Sequence, residues 1–270
     1  MAKKEKTKEC VLVFDVGNSN ITAGIFSGDS LMFSFRLRTN INFTQDQYYT
    51  QVKQLLEINN TFVPDIKGAI VGSVVPVITE SFTGMIKKYF KLNPVIIEKR
   101  TRLNIVNKYK NKNEVGDDRL ANAAYAYHIN KGKNNIIIDL GTSINFDVVD
   151  KKGNFLGGAI MPGINMSLHA LFARTAKLPQ IKLKYASLGI GKTTEDSIAS
   201  GVLNSIIGGI NETVKMIKKD LKTDSVCLIF TGGEVNPLVI KRLNEKCLLK
   251  DGDFTLKGFK LIYDLNMRKN

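Results

Sequence analysis

Residues 10–14, CVLVF, form a continuous apolar run that stops at Asp15 and Gly17 and gives way to the small polar residues Asn18-Ser19-Asn20. Unbroken apolarity over so few residues predicts a strand buried on both faces. Two more strand-like runs, 20–26 and 31–37, flank the polar turn Ser27-Gly28-Asp29, so the chain begins with linked β-hairpins. A helix is expected at about 45–58, a buried strand at 68–75, a helix at about 77–90 and a short strand at 94–97. A further helix is expected from about Asp117, with acidic residues in its first turn and Leu120, Ala123, Ala124 and Tyr127 on one face. The order then repeats. Strands at 135–140, 144–149 and 155–160 precede helices at about 163–174 and 194–219, then a strand at 226–231 ending in Thr231-Gly232-Gly233, and another helix. Three strands followed by alternating helix and strand, twice over, predict a two-lobed α/β protein with lobes at 1–130 and 131–270.

The repeat extends to residue identity. Asp15-Val16-Gly17-Asn18-Ser19 and Asp139-Leu140-Gly141-Thr142-Ser143 both read Asp, apolar, Gly, Asn or Thr, Ser, each at the end of an apolar run and each followed by strand, polar turn and strand. Asp-x-Gly alone is an ordinary turn. Recurrence with the same flanking pattern favours duplication of a domain.

Composition sets outer bounds. At 270 residues, 43% hydrophobic and 24% charged, the chain is a globular protein of one large or two smaller domains. Cys10, Cys227 and Cys247 are odd in number and far apart, which argues for a reducing compartment and against a disulfide framework or cysteine zinc site. With only His128 and His169 there is no histidine-rich metal motif. The apolar stretch after the basic N-terminus is too short for a signal-peptide core. Residues 155–173 lack charge but contain Pro162, three glycines, Asn165 and His169, which argues against a membrane helix; a cytoplasmic protein is expected. The net charge of +14 reads either as a nucleic-acid or membrane footprint or as a lysine-rich solvated surface. The lysines are spread along the chain and not interleaved with aromatics, which favours the surface reading.

Phosphate chemistry then narrows the field. Gly191-Lys192-Thr193 is not a P-loop, because Ala186 stands where the first glycine of GxxxxGK[ST] must be. No GxGxxG occurs. The duplicated loops offer another site, since backbone N–H groups and Ser, Thr and Asn side chains on a tight hairpin can donate to phosphate oxygens. Their aspartates would repel phosphate unless a cation or its water shell lies between, so Asp15 and Asp139 imply Mg²⁺ or a monovalent ion. Two such loops, one per lobe, resemble the acetate and sugar kinase/Hsp70/actin superfamily. That resemblance implies an actin-like fold of two tandem ribonuclease H-like lobes, each a mixed sheet with flanking helices.

GSVVP (72–76), KYKNKNEVGDDRLANA (108–123), GGAIMPGI (157–164), LFARTAKLPQI (171–181), GIGKTTEDSIASG (189–201) and FTGG (230–233) occur in this order together with the two loops. The ordered set resembles type III pantothenate kinases from about residue 10 to 235. The resemblance implies ATP-dependent phosphorylation of pantothenate, the first step of coenzyme A synthesis, with Mg²⁺ and a monovalent cation, potassium or ammonium. It implies that Asp118 is the general base and that Tyr109, Gly116, Asp117, Arg119 and Thr194 contact the substrate. Asp15, Val16, Gly17, Asn18, Ser19, Asn20, Ile21 and Thr22 would form the first ATP loop, with Gly141, Thr142, Gly232 and Gly233 as further ATP contacts. Asp139 would hold the monovalent cation. Thr194 would reach the partner's site in a homodimer. From the residues alone, Asp117-Asp118 reads equally as a helix-capping pair, Arg119 as a surface ion pair, Tyr109 as a half-buried tyrosine and the glycines as plain turns. Two positions depart from the family pattern. Ile144 and Asn145 replace hydroxyl residues of the second loop, and Asp117 replaces an alanine and puts a like charge beside Asp118. A competing reading is a non-catalytic regulator on the same fold that binds nucleic acid; a third is a kinase for another small alcohol.

Overall fold

The computed structural model describes residues 9–98, 100–175, 177–183, 189–233, 237–244 and 249–267. Ala186 and Cys247, used in the sequence reading, lie outside them. Contacts divide the chain into two units: one runs to Ile105 and adds Lys110–Tyr125 and the segment from Asp253; the other comprises Val106–Tyr109 and Ala126–Gly252.

The first unit is built on β1 (Cys10–Val16), β2 (Asn20–Ser27), β3 (Ser30–Arg38), α1 (Gln45–Ile58), β4 (Ile66–Ser73), α2 (Pro76–Met85) and β5 (Val95–Ile96). Its sheet runs β3-β2-β1-β4-β5, antiparallel across the hairpins and parallel from β1 onward. Thr44 begins α1 with a capping box to Gln47, and Tyr48, Val52 and Leu56, one helical turn apart, enter the core with Leu12, Phe14 and Phe82.

After β6 (Val106–Asn107) and α3 (Asp117–Ile129), the second unit repeats the plan with β7 (Asn135–Leu140), β8 (Ser143–Val149), β9 (Asn154–Pro162), α4 (Ile164–Arg174), α5 (Thr194–Leu221), β10 (Cys227–Thr231), α6 (Pro237–Lys241) and β11 (Leu249–Lys250). The order β9-β8-β7-β10-β11 reproduces β3-β2-β1-β4-β5 strand for strand, with β6 added in parallel beside β9. The duplication read from two loops is therefore a duplication of whole sheets. α5 follows its predicted bounds closely, with Ile198, Val202, Ile206, Ile210 and Val214 lining its core face. Residues 155–173, uncharged in sequence, divide into all but the first residue of β9, Gly163, and all but the last residue of α4, and among the described residues no helix is long and apolar enough to cross a membrane.

The sequence pattern does not foresee α7 (Phe254–Met267), which packs on β1, β2 and β4 of the first unit. Phe254, Leu256, Phe259 and Ile262 are buried there, and Gly24, Gly68 and Gly72 leave room for Leu256, Tyr263 and Phe259.

Candidate active site

The first loop closes where Gly17 N donates to Asn20 O at 3.0 Å, leaving Asn18 and Ser19 exposed at its tip. Thr39 braces it from the end of β3: its Oγ1 donates to Gly17 O at 2.7 Å and its N to Ser19 O at 3.2 Å. Asp15 sits on β1 opposite Thr22 of β2.

Contacts run from this loop to the start of α3. Val74 N donates to Val16 O at 3.1 Å, and Ser73 N donates to Asp117 Oδ2 at 2.9 Å. The sequence-predicted residues Val16 and Asp117 are thus linked through the ends of β1 and β4. Thr39, not singled out in the sequence, and Ser73, legible only as part of the motif GSVVP, hold the pieces together through contacts that span strands.

At α3 the chain starts the helix on Gly116, whose carbonyl accepts from Leu120 N. Asp118 folds its carboxylate back over the helix start, where Oδ1 accepts from Arg119 N at 2.8 Å, one of the N–H groups without an intrahelical partner. Burial pushes the Asp118 carboxyl above the ordinary range, opposed by that N–H and by the Arg119 guanidinium. Arg119 is itself buried, 7% exposed, so a surface ion pair does not describe it. Gly116 makes room for this arrangement: a Cβ there would lie 2.5 Å from Asp118 Oδ1 and 3.2 Å from Val74 Cγ1. Gly116→Ala is therefore expected to turn the Asp118 carboxylate aside, lowering turnover roughly 10–100-fold while the unfolding midpoint stays close to wild type. Steady-state kinetics beside thermal unfolding checks this.

Asp117 is pushed up to about 6, first by burial and then by Asp118, against the Ser73 N–H. Its folded value lies above its unfolded one, so its contribution to stability is full below pH 3.8 and lost as pH rises through about 6. Asp117→Asn is expected to raise stability at pH 7 by about 1–2 kcal/mol, less than the whole shift converts to because the side chain is partly exposed. The gain should vanish near pH 4; urea unfolding at both pH values reads it.

In the second unit Asp139 occupies the place on β7 that Asp15 has on β1. Val16 pairs with Ile21 and Leu140 with Ile144, so the second loop is one residue shorter and Ile144 is the counterpart of Ile21. Ile144 is 1% exposed in the core, so this departure from the family loop is a core position. Asn145 stands opposite Asp139 as Thr22 stands opposite Asp15, which keeps a polar group at that place. Gly232, at φ +98°, follows β10, and a Cβ there would overlap both Asp139 Oδ1 and Leu140 O. Those two oxygens thus converge on the Gly232 turn, and Thr231 Oγ1, one residue before it, is buried without a hydrogen-bond partner. Gly141 N donates to Ser143 O at 3.1 Å to close the loop, and Gly163 at the start of α4 packs on the Gly141 and Thr142 carbonyls. Gly163 was legible only as part of the motif GGAIMPGI.

Tyr109 lies next to β6 and stacks obliquely on Phe155, its ring centroid 6.2 Å away, with Gly157 leaving space beneath the ring. Thr194 opens α5 after the N-cap Thr193 and lines a groove of about 750 Å³ between α4 and α5 with Ser167, Leu171 and Arg174.

Two sheets of one strand order, each with an aspartate-bearing hairpin at the same place, define the two-lobed kinase fold of the acetate and sugar kinase/Hsp70/actin class. Solved structures agree at the level of fold. A Baf-family transcriptional activator from Campylobacter jejuni matches with TM-score 0.59 at 20% identity, covering 94% of this chain and 98% of that one. A ROK-family glucokinase from Streptomyces griseus matches with TM-score 0.54 at 14% identity, covering 95% and 98%. Sequence defines the family within that class. The profile of the type III pantothenate kinases matches residues 11–216, and a type III pantothenate kinase from Finegoldia magna is 40% identical over 261 residues, 96% of this chain and 98% of that protein. The chain belongs to the type III pantothenate kinase family.

Proposed function

We propose that this protein transfers the γ-phosphoryl group of ATP to the primary hydroxyl of pantothenate in the cytoplasm. The observation that supports it most is Asp118, a carboxylate held over the start of α3 beside a buried Arg119, within the segment that matches the family. An alcohol is a weak nucleophile until its proton has an acceptor, and Asp118 with its raised affinity for protons suits that role. As the hydroxyl oxygen bonds to the γ-phosphorus, the bond to the bridging β–γ oxygen breaks, ADP leaves and the proton passes to Asp118. Gly116, Asp118, Arg119 and Tyr109 orient pantothenate, with the Arg119 guanidinium toward its carboxylate or the phosphate. Asn18, Ser19, Thr142 and the Gly232-Gly233 turn hold the nucleotide. Asp15 would hold the Mg²⁺ that accompanies ATP, which would supply positive charge against the triphosphate. Asp139 Oδ1 and Leu140 O, hard oxygen donors that converge, suit potassium or ammonium. Thr194, at the end of an exposed groove, serves the partner's site in a homodimer, which sedimentation velocity checks.

The test is coupled ADP release from Mg-ATP, with and without pantothenate and potassium. Pantothenate-dependent release, stimulated several-fold by potassium and no longer so in Asp139→Ala, is the expected result. A folded protein that releases no ADP on adding pantothenate would overturn the reading.

A further inference from the structure

Asp117 adjoins the base, yet its carboxylate turns toward β4. The Ser73 hydroxyl is engaged locally: it donates to Val75 O at 3.1 Å and accepts from Val75 N at 3.0 Å. The Ser73 N–H donates instead to Asp117 Oδ2 at 2.9 Å. One residue on, Val74 N donates to Val16 O, and the Val74 side chain abuts Gly116. The turn carrying Asp118 is therefore fastened to the same strand end that anchors the first loop.

We propose that Asp117 is a positioning residue for phosphoryl transfer: by accepting the Ser73 N–H it ties the first turn of α3 to the end of β4 and so sets where the Asp118 carboxylate is held. This rests on Asp118 being the base. The placement is unfavourable on its own, since burial and Asp118 both oppose ionisation of Asp117. The charge that acts on it is that of Asp118 in the same turn, and the end of β4 meets it through the Ser73 N–H. α7, packed on α3 at Ala121, engages its Lys260 with Asp264 at 2.7 Å. Among the described residues Asp117 forms no ion pair; held on a backbone N–H, it acts through geometry.

The experiment compares Asp117→Asn, Asp117→Ala and Asp118→Asn by kcat and by KM for ATP and pantothenate from about pH 5 to 9, with thermal unfolding alongside. Asparagine keeps an oxygen for the Ser73 N–H, so Asp117→Asn should hold kcat within about 3-fold. Its acid limb should move to lower pH, because Asp118 loses an anionic neighbour. Asp117→Ala should lose roughly 10–100-fold in kcat with both KM values within about 2-fold. Wild-type kcat and pH profile in both Asp117 variants, with Asp118→Asn inactive, overturns the proposal and leaves the base in place. Equal losses in both, carried by KM for pantothenate, also overturn it and make Asp117 a substrate contact. Turnover in Asp118→Asn overturns the reading beneath it, whatever Asp117 does. Should Asp117→Ala fail to fold, the limb shift in Asp117→Asn decides.

Discussion

Asp118→Ala lowers pantothenate-dependent ADP release by roughly 10²–10⁴-fold, a loss of about 3–5 kcal/mol of transition-state stabilisation, with both units still folded. The size follows from the role, since a positioned base shares the proton of a poor nucleophile as it attacks. The site predicts a companion effect in pH. Burial holds the Asp118 carboxyl above the usual range, so the wild-type acid limb should lie above that of an ordinary aspartate. Asp117 ionises next to it, so the limb reports the pair. The helix should survive the substitution, because alanine is a good helix former and loses only one acceptor at the start of α3. Turnover equal to wild type in a folded Asp118→Ala protein would remove Asp118 from the mechanism.

The second large effect concerns the first sheet. Gly72→Ala destabilises the protein by about 3 kcal/mol or more, at the upper end for overpacking a core. A Cβ at Gly72 would overlap the ring of Phe259 at three carbons, and that ring is 0% exposed, with no solvent to retreat into. Gly72 lies opposite Asp15 on β1 and directly before Ser73, so the substitution should also depress turnover. Guanidinium unfolding measures the first effect and kinetics the second. Phe259→Leu in the Gly72→Ala background should recover part of the loss, a coupling that a double-mutant cycle reads directly. Additive effects would mean that α7 does not seat on Gly72.

Much of the candidate site was legible because its chemistry is local. Asp15 to Thr22, Asp139 to Thr142 and Gly116 to Arg119 are contiguous runs at element ends, where small polar residues and glycines stand out against apolar strands. Strand and helix periods carried most elements to within a few residues. Ile144 shows the limit of that reading. Against the family's loop pattern it reads as a lost hydroxyl, whereas strand register puts it in the core as the partner of Leu140 and the counterpart of Ile21. A one-residue difference in loop length cannot be seen without the register that measures it. β6 escaped notice because two residues are too few to show a period, and it exists only through N–H groups given to Gly153 and Phe155 by Val106 and Lys108.

By itself, then, the sequence determined the element types, the duplication and the aspartate loops, because hydrophobic period and turn chemistry act between near neighbours. Only the tertiary structure decided the shared strand order of the two sheets, the return of α7 to the first sheet and the tie from Asp117 to Ser73. Each of these joins residues far apart in the chain: through backbone hydrogen bonds that any side chain could accompany, through a carboxylate meeting a distant backbone N–H, or through shape fit between a glycine and an aromatic ring. Such contacts follow from how the chain closes on itself, and no local pattern encodes them.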